Sequence, residues 1–382
     1  MAVVDGSHRE VMQMWELARR NLLRERTRLA ISVSGVALSV VLMLSLTGLY
    51  NGYQERIESY FGGIDADLWV VQAGTSNFFH SSSVLAAGDE ASIEAIGGVE
   101  AVRPYVSRQV AFTNAGSSLV TSVVGVEPGG RVPASARVVA GDAVPGPGEI
   151  VLDRVLANTG EIELGDRIGL RGLSFRVVGL TSGTDMVTYQ YSFVALEDAQ
   201  RLQGTRSLVN FFLVTVRPGA EARAVSAAVR GAVPDAEVWT PTRVVSVNEG
   251  FIEDAFLPVI RVILLIGAIV GASVIGLMTY SGVLEKRREY GVLKALGAGF
   301  PATLRLVLIQ AGIAGAAGYV LGVAISLGIA RWVPDLVPQL AIELEPRHIL
   351  WLVLGIVGMV VVSVVPPLRR LARIDPAEVF SA

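Results

Sequence analysis

The chain has 382 residues, of which 52% are hydrophobic and only 18% are charged, and its formal net charge is -3. This balance lies outside the range typical of soluble globular proteins, and the slightly acidic charge argues against nucleic acid as a partner. Cysteine is absent, which excludes disulfide bonds and thiolate metal sites.

Residues 1–28 combine arginines with apolar residues at helical spacing. The pattern is typical of an amphipathic helix lying at the inner membrane interface. A basic flank that only directs insertion is the alternative interpretation. Residues 29–50 follow as an uncharged apolar run, and a helix needs only ~20 such residues to cross a ~30 Å hydrocarbon core. The run is too long for a cleavable signal peptide, so we predict a retained first span.

Residues 51–257 are predicted to form one large extracytoplasmic domain of mixed α/β structure, because short alternating runs are separated by Gly and Pro turn signals. Strands are predicted over 101–113 and 119–126. A second, β-rich block is predicted to begin after the Gly- and Pro-rich stretch 144–148. Because the chain then returns through a β-α-β pattern, we expect two subdomains, the second inserted into the first.

The rest of the chain predicts three further spans, which makes an α-helical membrane protein with four transmembrane helices spaced 1 + 3. The first and second spans are predicted to continue as helical stalks into the outer domain. The predicted spans are 258–284, 306–330 and 349–368, separated by a cytoplasmic loop 285–305 and a short outer loop 331–348, with a cytoplasmic tail 369–382.

Arginine and lysine are concentrated before the first span, in the loop 285–305 and after the fourth span. Short loops rich in these residues stay in the cytoplasm, so both termini are predicted inside and the large domain outside. Lysine is almost absent beside many arginines, alanines and glycines, which is typical of a GC-rich bacterial genome. We therefore predict a multi-pass protein of the bacterial cytoplasmic membrane.

Motifs for enzyme chemistry are missing from the sequence. It contains no G-x-x-x-x-G-K-[ST], H-E-x-x-H or G-x-S-x-G pattern, its three histidines are scattered, and the apolar runs 29–50, 262–284, 306–330 and 349–368 contain no Asp, Glu, Lys, Arg or His. We therefore expect a non-catalytic membrane subunit with no metal site or cofactor of its own. ATP and Mg would be bound by a partner.

The cytoplasmic loop 285–305 contains a charged helix end, a glycine and then a short run of apolar residues closed by Gly297. It predicts a small amphipathic helix of the size that fits a groove in a partner protein. A merely charged connection between two spans is the alternative.

Residues 288–298, with the sequence REYGVLKALGA, resemble the R-E-x-G-x-x-[KR]-A-x-G-A signature of the FtsX-like permeases, the MacB-type (type VII) ABC transporters. Residues 16–24 and 374–378 are similar to the family's opening and closing elements, and the 1 + 3 topology matches as a whole. The resemblance implies a coupling helix that rests on a separate ATPase. The positions implied are Arg288, Glu289, Gly291, Val292, Leu293, Lys294, Ala295, Leu296 and Gly297.

The resemblance also implies a homodimer or heterodimer of permease chains and an outer domain with porter-like and sabre-like subdomains. No nucleotide-binding domain is fused to the chain, so it resembles the stand-alone permeases related to the DevC glycolipid and HrtB haem exporters. Glycines in the spans, including a G-x-x-x-G pair at Gly267 and Gly271, permit close helix packing within one chain or across the dimer.

The function expected from these features is export of a hydrophobic or amphipathic compound, driven mechanically by the partner ATPase. Two alternatives remain: a transmembrane mechanotransmitter that activates an outer partner without transport, and a lipoprotein-releasing permease. Phe78 and Phe79 are predicted at the apolar tip of an exposed loop that contacts lipid, substrate or an outer partner. Under a haem-export interpretation Met186, Tyr189, Tyr191 or His80 would be iron ligands, although such residues belong far more often to a core.

Overall fold

The computed structural model describes residues 26–78, 83–186, 190–286, 288–289, 300–337 and 340–372. The chain divides into two compact units. The helical unit comprises Met1–Asn51, Leu257–Leu336 and Ala341–Ala382, and the mixed unit comprises Gly52–Phe256 and Val337–Leu340.

Four helices in the described part of the chain are long and apolar enough to cross a membrane. One lies near the start of the chain and three near its end, so the predicted 1 + 3 arrangement is confirmed. They are α1 (Arg26–Gly62), α6 (Pro241–Glu285), α7 (Phe300–Leu336) and α8 (Pro346–Ala372).

The first two of these helices are longer than a bilayer requires. The 37 residues of α1 and the 45 residues of α6 continue as single helices from the helical unit into the mixed unit. We call residues 52–62 of α1 the first stalk and residues 241–256 of α6 the second stalk. Their continuity agrees with the helical junctions expected from the sequence.

The four long helices share one apolar core in which each contributes buried side chains, among them Val40, Ile275, Val307 and Met359. Glycines bring the helix backbones close together. A Cβ on Gly318 would lie only 2.5 Å from Cβ of Val36. Such contacts are typical of membrane helices. Lipid leaves no hydrophobic driving force between them, and small residues let their backbones come close enough for van der Waals packing.

Large apolar side chains cover the outer faces of these helices, as expected for contact with lipid. Trp332 in the last turns of α7 and Trp351 in the first turns of α8 are 70% and 68% exposed. Tryptophan prefers the boundary between hydrocarbon and water. The two indoles therefore mark the membrane interface at this end of the helical unit.

The mixed unit contains short helices among its strands: α2 (Asp89–Glu94), α3 (Arg154–Thr159), α4 (Leu196–Gln203) and α5 (Ala222–Ala232). Its strands are β1 (Leu68–Gln72), β2 (Leu85–Ala86), β3 (Val99–Tyr105), β4 (Ser107–Asn114), β5 (Ser117–Val126), β6 (Arg137–Gly141), β7 (Glu149–Asp153), β8 (Arg167–Leu170), β9 (Leu173–Ser182), β10 (Gln190–Ala195), β11 (Leu208–Val209), β12 (Phe211–Val216) and β13 (Ala236–Trp239).

Two larger sheets are nested along the chain. A four-stranded antiparallel sheet has the order β13-β1-β12-β3. A seven-stranded mixed sheet has the order β4-β5-β10-β7-β9-β6, with β8 paired to β9. Every strand of the seven-stranded sheet lies between β3 and β12 in the sequence, and β2 and β11 form a separate small pair.

The place where the chain changes sheet differs from the prediction. The expected strand 101–113 is divided at Val106 into β3 and β4, and these belong to different sheets. The second block therefore begins at β4 and not after residues 144–148, because β5 pairs in parallel with the distant β10. One hydrophobic core contains residues of both sheets, such as Val70 and Val123, so division into porter-like and sabre-like subdomains stays an interpretation.

Candidate coupling site

The predicted coupling segment follows directly after α6. Arg288 and Glu289 have helical backbone. The positions from Gly291 to Gly297 lie outside the described residues, so their proposed roles remain predictions. Lys286 still donates its backbone N–H to the carbonyl of Gly282 at 3.1 Å, which extends the helical turn of α6 toward this segment.

An ion pair fastens the end of α6 to the start of α1. Arg28 Nη2 lies 2.7 Å from Glu285 Oε1 and donates to Ser281 Oγ at 3.4 Å. The Glu285 side chain is 62% exposed, so the surrounding solvent weakens the attraction between the two charges. The pair matters mainly for position, because it holds the end of α6 against the start of α1, just before the predicted coupling segment. The pair is not predictable from the sequence, since 257 positions separate two residues that carry no shared motif.

Glycine contacts decide how the helices pack inside one chain. Gly271 faces α1, where an added Cβ would lie 2.9 Å from Ser39 Oγ, and Gly267 lies near Met43 of the same helix. On α7, Gly322 faces Val40 and Gly315 faces Val360 of α8. The G-x-x-x-G pair is therefore used within the chain.

The loop before α8 is attached to α1 in the helical unit. Glu343 N donates to Gly48 O at 2.9 Å, and Asn51 Nδ2 donates to Glu343 O at 3.3 Å. Asn51 Nδ2 also lies 3.1 Å from His348 Nδ1. A side chain at Gly48 would meet Leu344 at 2.8 Å, so glycine permits the loop to approach the helix.

Aromatic rings gather where the first stalk ends. We call this set the aromatic cluster; its members are Tyr60, Phe61, Trp69, Phe78, Tyr105, Tyr191, Phe211 and Trp239. Trp69 and Tyr60 are fully buried, and Phe78 lies 4.2 Å from Phe211 between ring centroids. Tilted and offset pairs of this kind add about 0.5–1.5 kcal/mol each beyond their burial. The cluster is therefore a buried, closely packed region of the mixed unit.

Phe78 does not form the exposed tip that the sequence predicted. Its ring is half-buried and stacks at 5.7 Å on Trp239, and its backbone N–H donates to Asn248 Oδ1 of the second stalk at 2.8 Å. The rings of Phe61, Trp69 and Phe211 also pack near the Phe78 ring. Packing against them is more favourable for an apolar side chain than contact with water. Phe79 and His80 lie outside the described residues, and the contact role proposed for Phe78 and Phe79 is untested.

Arg56 attaches the first stalk to the segment that follows β9. Its guanidinium forms an ion pair with the Asp185 carboxylate and donates to the Asp185 carbonyl at 3.3 Å. The two side chains are only 19% and 7% exposed. Burial raises the pKa of Asp185, and the charge of Arg56 opposes that rise. A pair so shielded from water is screened much less than a surface pair.

Asp153 supports this attachment from inside the seven-stranded sheet. It ends β7, caps α3 by accepting from Val155 N at 2.7 Å, and accepts from Thr184 Oγ1 at 2.6 Å. Burial raises the pKa of Asp153 to about 6, against the opposing effect of the Thr184 hydrogen bond. The carboxyl holds residue 184, next to Asp185, in place.

Two of the residues considered for iron are core residues. Met186 and Tyr191 are 2% and 3% exposed, and the Tyr191 ring stacks on Tyr60. Tyr189 lies outside the described residues. No group of three or more His, Asp or Glu side chains suited to a metal was found among the described residues.

These features define a class: a multi-pass membrane protein in which two spanning helices continue into a nested α/β unit. The chain belongs to the family of MacB-like and FtsX-like permeases. Residues 29–232 match the model of the MacB-like periplasmic core domain, and residues 261–376 match that of the FtsX-like permease C-terminal region. Family membership implies an ATP-binding partner and dimerisation in general terms.

Known proteins similar to this chain include the uncharacterized ABC transporter permease Rv2563 of Mycobacterium tuberculosis, 26% identical over 368 residues, covering 95% of this chain and 98% of the relative. LolC of Neisseria meningitidis serogroup B, named a lipoprotein-releasing system transmembrane protein, is 23% identical over 400 residues, covering 91% and 92%. The periplasmic region of MacB from Actinobacillus actinomycetemcomitans has a TM-score of only 0.37 and 14% identity, covering 49% of this chain and 95% of that one.

Proposed function

We propose that this chain is the permease subunit of an ATP-driven exporter for a hydrophobic or amphipathic compound. Two copies of the permease, or this chain and a related one, would work with a separate ATPase. The observation that carries the proposal is the continuity of α1 and α6, each a single helix from the helical unit into the mixed unit. A continuous helix transmits displacement along its length better than a flexible linker does.

The partner ATPase would bind ATP and Mg, since this sequence carries no phosphate-binding loop. Its contact would be the segment from Arg288 to Gly297, whose sequence includes apolar Val292, Leu293 and Leu296 as the residues expected to dock in a groove. The Arg28–Glu285 pair supports this assignment, because it fixes the helix end from which the segment leaves.

The proposed setting is the bacterial cytoplasmic membrane, with both termini and the coupling segment inside and the mixed unit outside. The distribution of arginine and lysine between the loops supports this orientation. Closure of the ATPase would push the coupling segments, tilt the spans and bring the two mixed units together, expelling the compound outward.

The test is co-purification of the solubilised chain with the products of its neighbouring genes, followed by ATPase and transport assays. We expect a stoichiometric ATP-binding partner. Lys294→Glu and Gly291→Leu should uncouple hydrolysis from transport, because one reverses a charge and the other adds bulk at the docking face. Arg223→Glu, at an exposed site on α5, is the matched charge reversal and should leave coupling intact. Unchanged coupling in both loop variants would reject this segment as the contact.

A second candidate is release of lipoproteins from the membrane. It is favoured by the match to LolC, which covers 91% of this chain. The two functions differ in what stimulates the ATPase: a free compound in the first case, and an acylated lipoprotein in the second. A third possibility, mechanical activation of an outer protein without transport, predicts stimulation only when that protein is present.

A further inference from the structure

The short segment after β9 lies against the first stalk. Asp185 in this segment receives two interactions from Arg56, one at its carboxylate and one at its carbonyl. Both interactions come from the same guanidinium nitrogen, Nη1, and a hydrogen bond between charged groups is stronger than one between neutral groups. Because both side chains are largely buried, removing one partner of the pair costs more than it would at the surface.

Asp185 is held firmly from the side of the seven-stranded sheet. Thr184 donates its hydroxyl to Asp153, and Tyr191 N donates to Thr184 O at 2.8 Å. Asp185 also forms an isolated β-bridge with Gln190, the first residue of β10. Asp185, which accepts from Arg56, is therefore part of the seven-stranded sheet and moves with it.

One turn further along α1, Tyr60 reinforces the same attachment. Its ring stacks on Tyr191 of β10 with centroids 4.1 Å apart and planes 5° from parallel. Its hydroxyl lies 3.4 Å from that of Tyr105 on the four-stranded sheet. Residues four apart share a helix face, so Arg56 and Tyr60 present one surface of the stalk to the start of β10.

The attachment lies at the start of β10, opposite to the end from which the chain returns through α4 to β11 and β12. The chain leaves β10 at Ala195 toward α4, about 17 Å from Gln190 at the usual rise of a strand. The seven-stranded sheet is thus fixed near both ends of one central strand. A body held at two separated points follows a moving support instead of pivoting on it.

We propose that Arg56 and Asp185, with the Tyr60–Tyr191 stack, form a tie that makes the seven-stranded sheet move with the first stalk. The residues are positioning residues, and the inference rests on the proposed function, in which the stalk is the moving part. The tie gives this sheet, and any partner or compound it contacts, a direct connection to α1.

The test uses spin labels, for which the absence of cysteine is convenient. Ser59→Cys on the stalk and Ser174→Cys on β9 are both exposed. In the full permease with its ATPase, in lipid nanodiscs, the distance between these labels should have one narrow distribution with and without ATP. Arg56→Gln or Asp185→Asn should broaden it in both states, and the charge exchange Arg56→Asp with Asp185→Arg should narrow it again.

The matched control is Arg176→Gln, which breaks an ion pair with Glu149 inside the seven-stranded sheet and leaves the stalk untouched. It should keep the narrow distribution. A distribution equally narrow in Arg56→Gln, Asp185→Asn and the parent protein overturns the tie. If the single variants fail to fold, a charge exchange that folds but stays broad overturns it too.

Failure of the proposed function gives a different result. Labels on Ser59 of both permease copies report whether the stalks move. If ATP leaves that distance unchanged while Arg56→Gln still broadens the pair with Ser174, the tie stands and the mechanical export mechanism does not.

Discussion

At the scale of single residues, Asp153 is a buried carboxyl whose titration affects the stability of the fold. In the unfolded chain it releases its proton near 3.8, whereas in the folded chain burial raises its pKa to about 6. The folded state therefore binds more protons between these two values. Asp153's contribution to the free energy of unfolding is greatest below about pH 4 and is lost as pH rises through about 6.

Asp153→Asn removes this titration while keeping an N-cap, since Asn caps helices as well as Asp does. We expect the variant and the parent to be equally stable near pH 4, and the variant to gain up to about 3 kcal/mol by pH 7.5. Thermal unfolding of the solubilised chain across this range measures it. Asp142→Asn, at an exposed carboxylate of the same unit, is the control. Parallel pH curves for Asp153→Asn and the parent would contradict the assignment.

Asn248 is a second residue with a clear structural role. Its fully buried side-chain amide accepts a hydrogen bond from the backbone N–H of Phe78 and so connects the second stalk to Phe78. Asn248→Ala leaves the Phe78 N–H without this acceptor and should destabilise the chain by about 1–3 kcal/mol. Ser246→Ala, at an exposed position of the same helix, should cost much less. Equal melting temperatures for the two variants would show that the Phe78 contact contributes nothing.

At the scale of elements, the packing of α7 on α1 depends on two glycines. A Cβ at Gly318 would lie 2.9 Å from Val33 O, and one at Gly322 would lie 2.9 Å from Ala37 O. Both atoms are backbone atoms, which cannot rotate away. The approach of the two helices is therefore limited by these positions.

Gly318→Ala and Gly322→Ala should each destabilise the solubilised chain by about 1–3 kcal/mol through overpacking. Gly312→Ala is the matched control in the same helix, since no described atom lies within 4 Å of the added methyl group. It should be neutral or slightly stabilising, because alanine is the better helix former. Thermal unfolding in detergent distinguishes the two cases, and equal losses in all three variants would count against specific packing.

Several elements were predictable from the sequence because their signals are local. An uncharged apolar run longer than 20 residues predicts a spanning helix wherever it occurs, and the predicted strand 119–126 ends where β5 ends, at Val126. The division at Val106 was missed, because both halves alternate like one strand. The Arg56–Asp185 pair was missed as well, since 129 positions separate its partners.

At the scale of the whole molecule, α1 is a single helix with residues in both units, and the proposed function requires it to be stiff. Replacing Gln54 and Glu55 together by glycine should soften the first stalk, because each glycine costs a helix about 1 kcal/mol relative to alanine. We expect ATP hydrolysis to continue while transport falls.

The matched control replaces the same two residues by alanine, which removes the same side chains and keeps the helix. Paired ATPase and transport assays in proteoliposomes compare the variants. Equal transport by the glycine and alanine versions would mean that stalk stiffness has no part in the mechanism.

The two larger sheets are nested along the chain, and this order affects how the mixed unit can be altered. The excursion that builds the seven-stranded sheet starts after Tyr105 and ends at Asn210, and Asn210 N donates to Tyr105 O at 3.0 Å. Its two ends are thus neighbours on paired strands. A different module grafted at this point would keep both connections short. It would also have to supply its own part of the shared hydrophobic core and of the contacts with Arg56 and Tyr60.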